Sequence, residues 1–329
     1  MKINKYFIIC GYGWSGSSAV VDLLKEYSNN YDPGVEFRLV KDPYGINDLY
    51  NACVIKGDPL NYDIAIKDFL WFSKSLYKKP SKFKDGLDYK RYFGTKYLYS
   101  VDSYINKIVS FSYNSYWWMF GIKKTHYKLI KDKIMKKLGI IKNTDKMFFV
   151  DITDKKFISI TREFIDMVFE NSCIGDNMNV ILDQGVSTVN PCLELKFYKN
   201  SKLIIVDRDP RDIYTDLCIG GNLIGEDLKI NRNPNNYVSW HKEYRKNINE
   251  IKKNKNIMFL KFEDLIYNYD EKVDEIEKFL DLDSRKHIKK YEYFDPSKSI
   301  ENIGIWKNYI NDYEKEVFTK YLVDYFYEK

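Results

Sequence analysis

A glycine-rich stretch near the amino terminus, GYGWSGSS at residues 11–18, has the composition of a phosphate-binding loop. It lies between an apolar run suited to a buried strand and an apolar pattern with helical spacing, AVVDLLKEY. Glycines let the backbone approach a phosphate and adopt positive φ angles, and the start of a helix adds the positive end of its dipole. The residues that we expect to contact such an anion are Gly13, Trp14, Ser15, Gly16, Ser17 and Ser18.

Two nucleotide-binding patterns fit this loop only in part. Gly11 and Gly16 match the P-loop pattern G-x-x-x-x-G-K-[ST], but Ser17 stands in place of its lysine, which disfavours ATP or GTP hydrolysis. The dinucleotide pattern G-x-G-x-x-G is formally present, and Glu36 lies about where its acidic residue is expected. A dinucleotide-binding protein is therefore an alternative at this point. The loop itself does not indicate which residue replaces the missing lysine.

The segments around the loop predict an α/β fold with three layers. Strand-like runs alternate with helical patterns along the chain, which favours a mainly parallel central sheet covered by helices. After the first strand, the predicted strands are VEFRLV, NVILDQG, KLIIVDR and NIMFLKF. Because ligands bind at the carboxyl ends of parallel strands, the phosphate loop, Glu36, Asp183 and Arg208 should meet at one edge of the sheet.

Residues 47–145 differ from the rest of the chain because they have helical periodicity and no convincing strand. We interpret them as a helical insertion or subdomain within a single domain of residues 1–329, where they would either pack on the sheet or cover the acceptor. Further along, Asp209 before Pro210 predicts the N-cap of a helix, and one long helix is predicted over residues 234–253.

The composition limits the kinds of ligand and location. A net charge of +6 suits a small anionic ligand, but the cations are too dispersed along the chain to indicate a nucleic-acid groove. The five scattered cysteines form no CxxC pair, which predicts reduced thiols in a cytoplasmic protein. No apolar run is long enough for a signal peptide or a membrane-spanning helix, and no cluster of metal ligands stands out. The oligomeric state stays open.

Four segments of the chain resemble the P-loop sulfotransferase superfamily and occur in that family's order. They are GWSGSSAVVDLL, LIIVDRDPRDIYTD, FLKFEDLIYNYDEKVDEIEKFLDLD and NIGIWKNY. The first resembles the phosphosulfate loop, and the second resembles the strand and helix whose arginine binds a 3′-phosphate. The resemblance spans nearly the whole chain, with the helical region as an insertion.

The resemblance implies a donor, 3′-phosphoadenosine 5′-phosphosulfate, and roles for several residues, with no metal expected. Gly16, Ser17 and Ser18 would hold the 5′-phosphosulfate, Arg208 would hold the 3′-phosphate, and Glu36 follows the strand where some members carry a catalytic glutamate. The chain departs from the family in three places. Trp14 replaces the loop cation, Asp216 replaces a serine beside the 3′-phosphate, and Ser299-Ile300-Glu301 replaces an R-K-G sequence.

Two further residues are predicted to complete the site. Lys307, in the carboxyl-terminal loop, could reach the donor and replace the lost loop cation, whereas Asp183 could position the acceptor or organise hydrogen bonds. The resulting hypothesis is transfer of a sulfuryl group to a hydroxyl of a carbohydrate or small metabolite. The alternatives are a kinase or another nucleotide-dependent transferase on the same fold, or a non-catalytic nucleotide-binding relative.

Overall fold

A five-stranded parallel sheet lies at the centre of the computed structural model, with strand order β2-β5-β1-β6-β7. In chain order the strands are β1 (Tyr6–Gly11), β2 (Asn30–Tyr31), β3 (Phe111–Ser115), β4 (Asp145–Phe149), β5 (Asn179–Asp183), β6 (Ser201–Asp207) and β7 (Ile257–Lys261). The structure describes residues 3–82, 85–115, 117, 126–139, 145–170, 175 and 177–328. The prediction of an α/β fold with a mainly parallel central sheet is confirmed.

Helices cover both faces of this sheet and give the three layers. They are α1 (Ser17–Lys25), α2 (Ile46–Tyr50), α3 (Pro59–Leu76), α4 (Tyr89–Phe93), α5 (Tyr97–Ile108), α6 (His126–Lys137), α7 (Asp154–Glu170), α8 (Pro191–Glu194), α9 (Pro210–Gly220), α10 (Gly225–Asn231), α11 (Pro234–Arg245), α12 (Ile248–Ile251), α13 (Phe262–Tyr267), α14 (Tyr269–Leu280), α15 (Pro296–Ser299) and α16 (Asp312–Leu322). Among the described helices, none is long and apolar enough to cross a membrane.

The central strand β1 explains why both faces of the sheet are covered. Successive side chains of a strand point to opposite faces, so Ile8 and Cys10 join one apolar cluster while Phe7 and Ile9 join the other. The first cluster contains residues of α2, α3, α5 and α7, and the second contains residues of α1, α13 and α14. A strand buried on both faces reads as a continuous apolar run, which is why its sequence predicts it well.

The predicted second strand, VEFRLV, is wrong. Residues 35–40 form a turn, and the second strand is the short segment β2 that precedes them. Leu39 and Val40 are adjacent and both fully buried, so their apolar run resembles that of a strand buried on both faces. Their carbonyl groups accept hydrogen bonds from the amides of Ile46 and Asn47, at 2.8 and 3.2 Å, so the chain bends directly into α2.

The predicted absence of strands from residues 47–145 is also wrong. Within this segment β3 pairs antiparallel with β4, whose residues continue to Phe149. The helical character of the rest of the segment agrees with α3, α5 and α6, while residues 118–125 and 140–144 lie outside the described part of the chain. Phe111 and Tyr113 do alternate with Ser112 and Asn114, but a run of five largely exposed residues is too short for periodicity to distinguish from the surrounding segment.

The predicted long helix over residues 234–253 is interrupted. It comprises α11 and the short α12, since Asn247 between them has φ −99° and ψ 8°, outside the helical region. Asp209 does cap α9, as predicted, because its side chain accepts a hydrogen bond from the amide of Arg211 at 2.9 Å. This cap fixes the chain immediately after β6, beside the loop that follows β1.

Candidate active site

The glycine-rich loop between β1 and α1 has the backbone geometry of an anion-binding turn. Gly13, Trp14 and Gly16 have φ angles of 77°, 54° and 83°, and Gly16 directly precedes the first residue of α1. The buried Ser15 hydroxyl accepts a hydrogen bond from the amide of Tyr12 at 3.1 Å and thereby holds the turn closed. Such left-handed residues at a helix start point several N–H groups towards one place, where a phosphate or sulfate can bind.

Trp14 extends from the loop and contacts the end of α9 and the residues after it. Its indole Nε1 donates a hydrogen bond to Asn222 Oδ1 at 2.7 Å, and the ring packs against the end of α9. A Cβ atom added at Gly220 would lie 2.4 Å from the indole ring, so glycine is required for this contact. The tryptophan is 40% exposed and lines a cavity on each side of the loop.

We call these the inner and the outer cavity. The inner cavity, of about 500 Å³, lies between the loop, the turn after β2 and the end of β5; its polar lining includes Ser15, Ser17, Ser18, Glu36, Arg38, Lys41, Asp42, Gln184, Ser187 and Thr188. The outer cavity, of about 440 Å³, lies between the loop, α9 and residues 291–302; its lining includes Asp22, Arg208, Asp216, Phe262, Tyr291, Tyr293, Asp295 and Lys298.

The inner cavity contains a half-buried cation, Lys41, that sequence reasoning did not single out. Its Nζ donates a hydrogen bond to Gln184 Oε1 at 2.8 Å, and Gln184 Nε2 donates in turn to Ser17 Oγ at 3.2 Å. Burial lowers the pKa of Lys41 from its ordinary value, and the nearby positive charge of Arg38 lowers it further. An anion bound at the loop would oppose both effects, because it would favour the charged amine.

Glu36 lies in the inner cavity, where it forms an ion pair with Arg38. Arg38 Nη1 lies 2.9 Å from Glu36 Oε2, and Arg38 Nε lies 2.7 Å from Asp42 Oδ2. The Tyr89 hydroxyl fixes the backbone of the turn, since it accepts from the amide of Arg38 and donates to the carbonyl of Glu36. The Glu36 side chain remains 44% exposed, so a ligand in the cavity can reach it.

Two buried carboxyl groups lie behind this cavity. Asp183, at the end of β5, is not among the residues lining it, and its Oδ1 atom is buried without a partner among the described residues. Burial, together with the charge of Glu36, raises the pKa of Asp183 to about 6. Glu194 accepts a hydrogen bond from the amide of Ser187 at 2.5 Å, and burial raises its pKa to about 7.

Arg208 ends β6 beside the loop, but an acidic side chain already binds it. Its Nη1 lies 2.5 Å from Asp216 Oδ2 and donates to the carbonyl of Trp14 at 3.1 Å, while Nη2 donates to the carbonyl of Asn302. The guanidinium is 4% exposed and lies 5.5 Å from the centre of the Phe262 ring. The resemblance implies a 3′-phosphate as the partner of Arg208, whereas its partner in the structure is Asp216.

The far wall of the outer cavity is attached to the helix that begins at the loop. Glu26, fully buried after the end of α1, accepts hydrogen bonds from the amides of Tyr293 and Phe294, at 3.1 and 3.0 Å. Its other oxygen lies 2.7 Å from His287 Nε2. Helix α1 therefore connects the glycine-rich turn to the aromatic wall of this cavity.

The structure places Lys307 away from both cavities. It is exposed, in a short turn whose backbone is held by Asp212, which accepts hydrogen bonds from the amides of Gly304 and Trp306 at 2.8 and 3.1 Å. The role predicted for Lys307 as the substitute cation is therefore not supported, and Lys41 lies where that role is needed. Lys41 is a single lysine after a predicted strand and belongs to no recognised motif, so sequence reasoning had no signal by which to find it.

Among the described residues, no group of three or more histidine, cysteine, aspartate or glutamate side chains is arranged to hold a metal ion. The loop residues and Glu36 meet in the inner cavity, whereas Arg208 and Asp216 meet Trp14 in the outer cavity.

Comparison with known proteins matches the carboxyl-terminal part of the chain to one family. Residues 191–320 match the family model for the sulfotransferase domain, a segment that includes Arg208, Asp216 and Lys307 but not the glycine-rich loop. No curated protein matches the sequence. The match confirms the resemblance to P-loop sulfotransferases that the motifs indicated, and with it the prediction of a transferase.

Comparison with solved structures gives matches of low similarity, which include the following three. The sulfotransferase domain of the olefin synthase of Synechococcus PCC 7002 is 9% identical, with a TM-score of 0.44 over 100% of this chain and 96% of that one. A sulfotransferase from Mycobacterium avium is 12% identical, with a TM-score of 0.41 over 100% of this chain and 78% of that one. The sulfotransferase domain from the curacin biosynthetic pathway is 11% identical, with a TM-score of 0.41 over 99% of this chain and 98% of that one.

Proposed function

Since its carboxyl-terminal part matches the sulfotransferase domain, we propose that the chain transfers a sulfuryl group from a nucleotide phosphosulfate to a hydroxyl group. The acceptor would be a carbohydrate or another small metabolite, bound in the inner cavity. The observation that carries the proposal is the placement of Lys41, whose ammonium group lies beside the turn of backbone amides through Gln184 and Ser17. This arrangement provides the positive charge that Trp14 does not.

The reaction needs charge stabilisation at one oxygen and removal of one proton. The S–O bond to the donor phosphate breaks, its electron pair stays on the phosphate oxygen, and a new S–O bond forms to the acceptor oxygen. Fixed donors aimed at the leaving oxygen stabilise this transition state, because they need no reorganisation as the charge develops. The amides of Gly16, Ser17 and Ser18 and the ammonium group of Lys41 would provide these donors.

Glu36 is the proposed base for the acceptor proton. It lines the inner cavity opposite the phosphate-binding turn, and Arg38 holds its carboxylate in place at 2.9 Å. A base must reach the proton that it removes before its basicity matters, and Glu36 meets this first condition through its exposure to the cavity. Asp183, directly behind it, would position Glu36 through repulsion between the two carboxylates.

The donor implied by the family fits the site in one part only. The loop and Lys41 suit the 5′-phosphosulfate, whereas the guanidinium of Arg208, which would bind a 3′-phosphate, is already paired with Asp216. We therefore assign no part of the reaction to a 3′-phosphate. The four described cysteines Cys10, Cys53, Cys192 and Cys218 are free thiols, which supports the cytoplasmic location that we propose.

Substitution of Lys41 tests the proposal. The protein is incubated with adenosine 5′-phosphosulfate or 3′-phosphoadenosine 5′-phosphosulfate and a mixture of sugar and phenol acceptors, and release of the nucleotide product is measured. We expect Lys41→Met to lower kcat/KM by about 10²- to 10³-fold, the usual cost of removing one transition-state donor. Lys253→Met, at an exposed lysine paired with Glu250, is the matched control and should leave the rate unchanged.

The alternative enzyme classes give different outcomes in the same assay. Transfer from ATP with Mg²⁺, and none from either phosphosulfate, would identify a kinase and overturn the proposal. Binding of these nucleotides without turnover of any donor would indicate a non-catalytic relative. Equal loss of activity in the Lys41 and Lys253 variants would exclude the specific role that we give to Lys41.

A further inference from the structure

The outer cavity has too few free cations to bind a second phosphate. Arg208 is nearly fully buried, and the hydrogen bonds of its two terminal nitrogens go to Asp216 and to the carbonyls of Trp14 and Asn302. A phosphate that approached Arg208 would have to displace Asp216 or share the guanidinium with it. A carboxylate this close to a dianionic phosphate opposes binding, and its pairing with Arg208 uses the charge that the phosphate would need.

The other charges around this cavity do not compensate. Its lining includes four carboxylates and, besides Arg208, a single cation, Lys298. Lys298 is largely exposed and lies 3.4 Å from Asp295, so its charge is already partly balanced. The segment where the resemblance would place an R-K-G sequence reads Ser299-Ile300-Glu301 and adds a further negative charge. The electrostatics of the cavity therefore disfavour a polyanionic nucleoside.

The same lining suits an uncharged ribose and its base. A carboxylate can accept several hydrogen bonds, so Asp216 can bind a ribose hydroxyl while it remains paired with Arg208. Its side chain is 25% exposed, which leaves it accessible from the cavity. Trp14, Phe262, Tyr291 and Tyr293 also line the cavity and offer ring faces on which a base can stack.

We propose that the nucleotide bound by this protein has a free 3′-hydroxyl, so that its donor is a nucleoside 5′-phosphosulfate without a 3′-phosphate. This inference rests on the proposed sulfuryl transfer and specifies its donor. In it Asp216 takes the place that a 3′-phosphate would occupy beside Arg208. The negative charge that the buried arginine requires is then part of the protein and does not come from the ligand.

The test compares two product nucleotides that differ only at the 3′ position. Calorimetry measures the affinity of the wild-type protein for adenosine 5′-monophosphate and for adenosine 3′,5′-bisphosphate. We expect the monophosphate to bind about tenfold or more tightly than the bisphosphate, because of repulsion by Asp216. In Asp216→Ser this preference should reverse, since the variant frees the guanidinium of Arg208 for the 3′-phosphate.

A matched variant separates this local effect from the general charge of the cavity. Asp22→Asn removes one negative charge from the same lining, but Asp22 is paired with Lys25 and not with Arg208, so the ratio of the two affinities should change by less than about threefold. Thermal melts of both variants establish that they are folded.

The possible outcomes distinguish this inference from the proposed function. A wild-type protein that binds the bisphosphate as tightly as the monophosphate, or more tightly, would overturn the inference and leave the sulfuryl transfer intact. A protein that binds neither nucleotide would overturn the proposed nucleotide donor itself. The wild-type measurement decides between these cases even if Asp216→Ser fails to fold.

Discussion

At the scale of single residues, the two cations Lys41 and Arg208 differ in whether a neighbouring carboxylate neutralises their charge. Lys41 is half-buried and donates its hydrogen bond to the neutral side chain of Gln184, so an anionic ligand can still pair with its charge. Arg208, in contrast, is matched by Asp216 within the protein. The two cations near the loop therefore have different tasks: one is available to the ligand and the other organises the protein.

The pH dependence of ligand binding should report on Asp183. Its pKa of about 6 lies above the ordinary value because the carboxyl group is buried near Glu36, and Lys41 partly opposes this effect. As pH rises through 6, Asp183 gains a negative charge near the anion site, so affinity for adenosine 5′-monophosphate should fall. Calorimetry between pH 5 and 8 measures this change.

Asp183→Asn is the control for that measurement. The phosphate of the ligand also titrates in this range, but it does so equally with both proteins, so the ratio of their affinities isolates Asp183. We expect the variant to bind increasingly better than the wild type as pH rises from 5 to 7, by a few-fold. A ratio that is independent of pH would contradict the proximity of Asp183 to the ligand.

At the scale of elements, the start of α1 is fixed by packing as well as by backbone conformation. Gly16 has φ 83°, and a Cβ atom at this position would lie 2.4 Å from the ring of Phe262, the first residue of α13. The phosphate-binding turn therefore approaches the helix after β7 more closely than any side chain would permit. The glycine is required by a contact between elements that are far apart in sequence.

A pair of alanine substitutions separates these two requirements. Gly57 also has a positive φ, 62°, but a Cβ atom there meets nothing within 4 Å, so Gly57→Ala should cost only the conformational penalty of about 1 kcal/mol. Gly16→Ala adds the clash with Phe262, and we expect its free energy of unfolding to fall by about 1–3 kcal/mol more. Urea denaturation measures both values, and equal losses would show that the clash is unimportant.

At the scale of the whole molecule, the carboxyl ends of the central strands form one functional edge. The two cavities are surrounded by the loop after β1, the end of β5 and Arg208 after β6. Glu263, in the helix after β7, connects that helix to the residues that follow β6. Glu263 is fully buried and accepts a hydrogen bond from the amide of Asp209 at 2.7 Å. Burial raises its pKa from 4.5 to about 7.

The contribution of Glu263 to stability should consequently fall between about pH 4.5 and 7. In this range the unfolded chain releases the proton of Glu263 while the folded protein retains it, so the folded state binds more protons and is destabilised as pH rises. With 1.36 kcal/mol for each pKa unit, the loss from Glu263 is on the order of 3 kcal/mol at most. Above pH 7 this contribution becomes constant.

Glu263→Gln tests this prediction because the amide does not titrate. The variant should gain stability relative to the wild type between pH 5 and pH 8 in thermal or urea melts. Glu301→Gln, at an exposed glutamate, should show no such change. A difference between Glu263→Gln and the wild type that is the same at both pH values would refute the assignment. Glu194, which has a similarly raised pKa, acts equally in both proteins and cancels.

The sequence by itself determined the features that depend on local pattern. Continuous apolar runs predicted β1, β5, β6 and β7, and glycines before a helix predicted the turn between β1 and α1. Asp209 before Pro210 predicted a capped helix, and the ordered motifs indicated the sulfotransferase resemblance. Each of these follows from residues close together in the chain, whose backbone preferences and periodicity are local properties.

Only the tertiary structure decided which charges meet. The turn at residues 35–40 depends on burial of Leu39 and Val40 against distant helices, and this turn brings Lys41 to the loop. The pairing of Arg208 with Asp216 and the exposure of Lys307 depend likewise on how separate elements pack. Electrostatic interactions act through space, so a charge far along the chain can complete a site that its nearest neighbours in sequence leave without a cation.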